Sequence, residues 1–382
     1  MSTNKLSLYI HIPFCAGKCH YCDFYSVRYE PSLADRYLQA VIDEWELRIS
    51  QSDLRKYQIE TVYFGGGTPS ILTPSQFSFL TSQLLKNLDL SPDMEFSVEC
   101  NPESFTESKA KSFLDAGVNR LTFGVQSLSN IELSIAGRKH SSEKALEVLN
   151  SPSLYYFKSI GTDIIYGLPG QSAKSLKTTL GNLFLTPYIK HLSAYELTIN
   201  PGTPFGRHEK RLPLPDEDDL AEMSSIVISE CRAHNLERYE ISNFAATSHR
   251  CSHNEAYWDH KEYIGLGCAA HSYLNQTRWA NKHNIGEYIS DVSLNVLPQA
   301  WSEKIDNETM AREMIFLGLR RADGINEERF KMLTGKEFTS CVDSEKLRLF
   351  LSTGRMIYRK PFWLTSEEGM LYADAMARDL FL

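Results

Sequence analysis

The sequence predicts an α/β protein: a partial (β/α)6 barrel of the TIM type, left open, followed by a smaller α-rich C-terminal domain. Three observations carry this reading. Short apolar segments alternate with longer amphipathic ones from Leu6 to about Thr198. Capping and turn residues separate them at intervals that suit crossover connections between parallel strands. Beyond Ile305 the character becomes helical to the end of the chain.

Six strands are expected in the first half, at Leu6–Phe14, Ile59–Phe64, Met94–Glu99, Arg120–Val125, Ile160–Tyr166 and His191–Leu197. Helical stretches fall between them near Ser32–Gln51, Pro74–Leu88, Ser108–Ala116, Ser142–Leu149 and Ser172–Leu185. Thr73-Pro74 and Thr106-Glu107 are capping signals for two of these helices. Six such units suit an open barrel better than a closed eight-stranded one. The Pro- and Gly-rich run from Asn200 to Pro215 reads as a linker. After it come a helix at Pro215–His234, a strand at Glu237–Phe244 and a loop dense in His and aromatic residues at His249–His271. Lys360–Leu364 is a short strand or turn before a last helix. The expected organisation is therefore a core barrel over residues 1–200, a linker and His/aromatic-rich segment covering the barrel over 201–300, and an α-rich domain over 301–382 that lies across the barrel mouth.

Composition narrows the function. A net charge of −8 gives no basic footprint for nucleic acid. There is no apolar run of about 20 residues to span a membrane, and the first residues lack a secretory signal, so a cytoplasmic protein is expected. In that reducing setting eight cysteines point to metal or catalytic chemistry rather than to disulfides.

The densest chemistry is Cys15-Ala-Gly-Lys-Cys19-His-Tyr-Cys22, at the end of the first expected strand. A barrel of parallel strands carries its active site at that end. No regular helix or strand holds three thiols so spaced on one face, whereas a loop wrapped round a compact metal centre does. Three thiolates hold three irons of a [4Fe–4S] cubane and leave the fourth open. A zinc knuckle with a distant fourth ligand is the alternative, although the second Cys pair usual in such sites is missing.

These residues carry a resemblance. Tyr9-Ile-His-Ile-Pro-Phe-Cys15, the Cys-x3-Cys-x2-Cys spacing and Phe64-Gly-Gly-Gly-Thr-Pro69 resemble radical S-adenosylmethionine (SAM) enzymes of the oxygen-independent coproporphyrinogen III oxidase family. Glu99-Cys-Asn-Pro102, Gly124-Val-Gln126, Gly137-Arg138 and Asp163-Ile-Ile-Tyr-Gly-Leu-Pro169 extend it. The resemblance implies a radical SAM barrel in which the open iron is chelated by the amino and carboxylate groups of SAM. Residue chemistry supplies candidates for that site. Gly66 and Gly67 let the backbone approach the methionine moiety, and the Thr68 hydroxyl adds a donor. Glu99 accepts from the amino group, and Arg138 pairs with the carboxylate. Gln126 and Asp163 suit ribose hydroxyls. The resemblance adds Tyr9, and Tyr21 stands beside the adenine.

Two departures select a branch. The oxidases carry a further cysteine two residues past the third cluster thiol, where this chain has Phe24, and they have an N-terminal extension where only eight residues precede Tyr9. Conversely, His253-Asn254-Glu-Ala-Tyr257-Trp258 resembles a motif of the haem chaperone branch. That likeness implies haem as a further ligand, with His253 as its contact, and acceptor haem proteins, at the membrane surface among others, as partners. Self-association as a homodimer stays open. So do other roles for the motif: His253 and Asn254 capping a turn with Tyr257 and Trp258 in an interdomain core, or a zinc site among His249, Cys251, His253, His260, Cys268 and His271. The rival function is the oxidase activity itself, decarboxylation of coproporphyrinogen III. Cys100 reads as a small buried residue rather than a ligand.

Overall fold

The computed structural model describes residues 4–381. The chain begins with six strands joined by helices: β1 (Lys5–Ile12), β2 (Gln58–Gly66), β3 (Asp89–Cys100), β4 (Arg120–Gln126), β5 (Ser159–Tyr166) and β6 (Ile189–Glu196). Each pairs in parallel with the next. The crossovers are α1 (Pro31–Gln51), α2 (Pro74–Leu84), α3 (Glu107–Asp115), the pair α4 (Asn130–Ile135) and α5 (Ser142–Leu149), and α6 (Ala173–Phe184). Covered on both sides, these strands need apolar residues on both faces. In β4 every residue from Arg120 to Val125 is buried. The expected caps are present: Thr73 and Gln76 form a capping box at α2, and the Thr106 side chain accepts from Lys109 N at α3. The additional helix α4 is capped by Ser129, inside a stretch too short to show a helical period.

The barrel does not close. One edge is extended by an antiparallel hairpin of β7 (Glu237–Arg238) and β8 (Asn243–Ala245), after helix α7 (Glu217–Ala233). The expected single strand Glu237–Phe244 is therefore two short ones. Arg238 folds back onto the Ile241 carbonyl, and Glu240 accepts from Ser242 N at 2.8 Å, which makes the turn. The other edge adds β9 (Tyr263–Leu266), parallel to β1, and then β10 (His271–Leu274), β11 (Thr277–Asn281) and β12 (Gln299–Lys304) in antiparallel order. The expected loop His249–His271 thus contains a strand, β9, and a helix, α8 (Ser252–Trp258).

A buried carboxylate ties this extension to the barrel. Glu44 of α1 accepts from Arg48 Nε and Asn281 Nδ2, both at 2.8 Å, from Gly267 N at 2.9 Å and from the Tyr288 hydroxyl at 2.7 Å. Its charge is tolerated because a cation and three further donors compensate it.

The C-terminal unit has its own core, including Ile315, Phe330, Phe338 and Met376, and a three-stranded sheet that contains Phe362–Thr365. It lies beneath the barrel rather than across its mouth, which corrects the expectation. Arg321 pairs with Asp259 at 2.5 Å, Ala322 N donates to Tyr239 O at 3.0 Å, and Met310 and Ile315 cluster with Tyr273 and Tyr263. Tyr239 bonds His191 near the start of β6, and Tyr263 pairs with Ser7 near the start of β1. These contacts gather at the N-terminal ends of the strands. The mouth is bordered instead by the linker, through Asn200 Nδ2 on Asp23 at 2.9 Å and Phe205 N on His20 O at 3.0 Å.

Candidate functional site

At the C-terminal ends of the strands the barrel opens into a cavity of about 460 Å³. Cys15, Cys19 and Cys22 line it, together with Tyr21, Gly66, Gly67, Thr68, Glu99, Gln126, Arg138 and Asp163. Of the residues expected from sequence, Tyr9 and His253 are not in the lining.

The thiols sit on one hooked loop. Its ends are held by a two-residue parallel pairing of Phe14–Cys15 with Val27–Arg28. His20 anchors its middle to the turn after α4, with N on Ala136 O at 2.9 Å and Nδ1 to Ile135 O at 2.8 Å. The Thr68 hydroxyl reaches Cys15 Sγ at 3.6 Å, and Arg138 Nη1 lies 3.4 Å from Cys19 Sγ. Burial raises the Cys15 thiol and pushes Cys22 up to about 11, so deprotonation accompanies metal binding. Among the described residues no three His, Cys, Asp or Glu side chains converge on a single-ion position. A cubane takes one thiolate per iron and needs no such convergence.

The polar side of the cavity is built from strand ends. Glu99, at the end of β3, accepts from the Tyr63 hydroxyl at 2.8 Å and from Gly66 N at 3.2 Å. The glycines make this approach feasible. A Cβ on Gly66, whose φ is +108°, would fall 2.4 Å from the His11 ring, and one on Gly67 would fall 2.8 Å from Phe14 O. Gln126 ends β4 at φ +68°, a left-handed conformation that a non-glycine residue seldom adopts. Arg138 Nη2 donates to Asn101 Oδ1 at 2.8 Å and to Gly124 O at 2.6 Å, which fixes the guanidinium between the cluster loop and β4.

Four buried polar atoms of the cavity's lining residues have no hydrogen-bond partner among the described residues: Glu103 Oε2, Gln126 Oε1, Asp163 Oδ1 and Arg138 Nε. Such atoms are costly unless a ligand completes them. Burial raises Glu99 to about 7, and burial raises Asp163 to about 6. The residues therefore fit a polar ligand that brings donors to Glu99 and Asp163 and an anionic group to Arg138.

Sequence reasoning missed Asn101 and Tyr63. Asn101 joins the two halves of the site, since its Nδ2 donates to Thr68 Oγ1 at 3.0 Å while its Oδ1 receives Arg138. Its place two residues after Glu99, at a strand end, was the available signal. Tyr63 lies within β2, where nothing local distinguishes it from a packing residue.

Tyr9 stands one layer below. Its hydroxyl meets His11 Nδ1 at 3.0 Å and its ring stacks on Tyr63. His253 is deeper still and lies outside the cavity lining. It is 1% exposed, with Nδ1 on Thr61 Oγ1 at 2.6 Å and Nε2 on the Tyr257 hydroxyl at 2.8 Å. Burial lowers it to about 3. In this arrangement both ring nitrogens are engaged by hydroxyl groups inside the barrel. Helix α8, which carries it, stoppers the barrel from below.

A model of the radical SAM superfamily matches residues 9–183, and a model of the HemN C-terminal domain matches residues 305–372. The heme chaperone HemW of Bacillus subtilis (strain 168) is 36% identical over 333 residues, covering 86% of this chain and 87% of that protein. The heme chaperone HemW of Lactococcus lactis subsp. lactis (strain IL1403) is 31% identical over 351 residues, with 89% and 90% covered. The chain belongs to the HemW family. Membership of the radical SAM superfamily implies a [4Fe–4S] cluster and SAM as cofactors, as expected from the Cys motif. The HemW fold seen here also matches that of coproporphyrinogen III oxidase (HemN) from Escherichia coli, with a TM-score of 0.85 and 20% identity over 98% of this chain and 89% of that one. That likeness shows the fold alone. At the position that separates this HemW-family chain from the oxidase pattern, Phe24 is 63% exposed on the cavity rim. No helix among the described residues is long and apolar enough to cross a membrane.

Proposed function

We propose that this protein is a cytoplasmic haem chaperone that binds haem and passes it to acceptor haem proteins, including those at a membrane surface. The observation that carries the reading is identity to HemW proteins across nearly the whole of both chains rather than across the barrel alone. In this reading Cys15, Cys19 and Cys22 hold the cluster. Gly66, Gly67 and Thr68 cradle the methionine end of SAM, Glu99 takes its amino group and Arg138 its carboxylate. Gln126 and Asp163 take the ribose, and Tyr21 flanks the base. When bound, the cluster supplies the electron that reductive SAM chemistry requires. The chain's own part is to orient SAM against the open iron and to keep water from that space.

Phe24 supports the chaperone over the oxidase, because an exposed aromatic ring occupies the place of the oxidases' additional thiol. The test is anaerobic reconstitution followed by two assays. Haem titration should saturate at about one haem per chain with a shifted Soret band. Incubation with coproporphyrinogen III, SAM and reductant should leave the porphyrinogen unchanged by mass. Robust decarboxylation would restore the oxidase reading, and absence of haem binding would remove the chaperone.

A further inference from the structure

The His253–Trp258 motif lies outside the cavity that holds the other expected site residues. Its position in the barrel indicates a role. The N-terminus of α8 is capped by Glu95 of β3, which accepts from Ser252 N at 3.1 Å and His253 N at 3.0 Å. The His253 ring is locked between Thr61 and Tyr257. One face of that ring stacks on Tyr63, with centroids 4.9 Å apart and planes 21° apart. The Tyr63 hydroxyl is the donor that holds Glu99 at 2.8 Å. The path from the barrel floor to the SAM-side carboxylate is thus a single stacked and hydrogen-bonded column.

We propose that His253 is a positioning residue for SAM: seated by α8, it holds Tyr63 so that the Tyr63 hydroxyl aims Glu99 at the SAM amino group. The proposal rests on the reading that Glu99 takes that group. Tyr63 packs against both Tyr9, at 6.2 Å, and His253, at 4.9 Å, which are themselves 6.4 Å apart, so the three rings hold one another. Gly65 leaves room for this convergence, because a Cβ there would fall 2.9 Å from the Tyr63 ring, 3.1 Å from Glu99 Oε1 and 3.1 Å from the Tyr9 ring. Without the His253 ring, Tyr63 gains freedom on one side, and its bond to Glu99 must then be made at the cost of ordering both side chains. The motif acts from beneath the barrel on the opposite end of the strands, without touching SAM.

Two ligands distinguish this from loss of structure. SAM carries the amino-carboxylate end that Glu99 serves, and 5′-methylthioadenosine has the same nucleoside and S-methyl group, with a neutral sulfur, without it. Both are titrated into cluster-reconstituted wild type, Tyr63→Phe, His253→Gln, the double variant and Glu99→Gln. Tyr63→Phe keeps the stacked ring, and His253→Gln keeps polar groups for Thr61 and Tyr257, so both should stay folded. Each single variant should weaken SAM by about three- to tenfold, while methylthioadenosine changes by less than about twofold. The double variant should be no weaker than the worse single one, because both act on one contact. Equal loss of both ligands in His253→Gln, unchanged SAM affinity in both single variants, or losses that multiply in the double variant would each overturn the relay. If Glu99→Gln itself binds SAM normally, the failure lies instead in placing Glu99 at the amino group, and the relay falls with it.

Discussion

Replacing Glu99 by Gln should make the ligand-free protein more stable at pH 8 while it loses affinity for SAM. The magnitude follows from the site. Burial carries the Glu99 carboxyl from 4.5 to about 7. Keeping it ionised above that pH therefore costs up to about 3 kcal/mol relative to the unfolded chain. Glu99 faces the cavity, where solvent screens the charge, so about 1–2 kcal/mol is the expected figure. The sign is set by linkage. A carboxyl raised on folding binds protons more tightly in the native state, so its contribution is fully present below about pH 4.5 and is lost as pH rises through about 7. Gln removes that slope. Its amide can still meet the Tyr63 hydroxyl, which then accepts rather than donates, and its oxygen can still accept from Gly66 N. Asp163 is raised in the same direction, and its charge adds to the Glu99 shift, so Gln at 99 removes that repulsion as well. Thermal melting of metal-free wild type and variant between pH 5 and 8 is the assay. The melting curves should diverge as pH rises, with the variant higher by about 1–3 °C at pH 8. A variant that is less stable at pH 8, or one with the wild-type pH slope, would refute a desolvated carboxylate at this position.

Three further outcomes are expected. Serine at Cys15, Cys19 and Cys22 together should abolish the brown absorbance and the roughly four irons per chain of the reconstituted protein, checked by iron and sulfide analysis. Arg138→Ala and Asp163→Ala should each weaken SAM by about 1.5–3 kcal/mol in equilibrium titration while iron content stays unchanged, because each removes a charged or hydrogen-bonding contact. Glu44→Ala should destabilise the fold by about 3–5 kcal/mol in denaturant unfolding, because Arg48 would remain buried without its partner and three further donors would lose their acceptor.

The sequence by itself determined what depends on local pattern. Apolar patterning placed the six strands, most clearly β4 and β5, which are buried on both faces and leave a nearly unbroken signal, whereas the largely exposed start of β3 at Asp89–Asp93 left none. Capping residues placed α2 and α3, because their side chains bond backbone within one turn. The Cys spacing and the residues at strand ends were legible for the same reason, since a barrel of parallel strands delivers all its C-terminal ends to one rim. Tertiary structure alone decided what depends on contacts distant in sequence. That Glu44 meets Asn281, and His253 meets Thr61, rests on separations of 237 and 192 residues, which no local period reports. The C-terminal unit was expected at the mouth and lies at the floor, because its docking surface is made by Tyr239 and Asp259, whose positions follow from the way β8 and α8 return to the barrel. His253 shows the same division. Its motif was readable as a string of residues, but whether an imidazole faces solvent, a ligand or Tyr63 is set by the path of the chain around it. Here that path buries it, engages both nitrogens and stacks its ring on Tyr63.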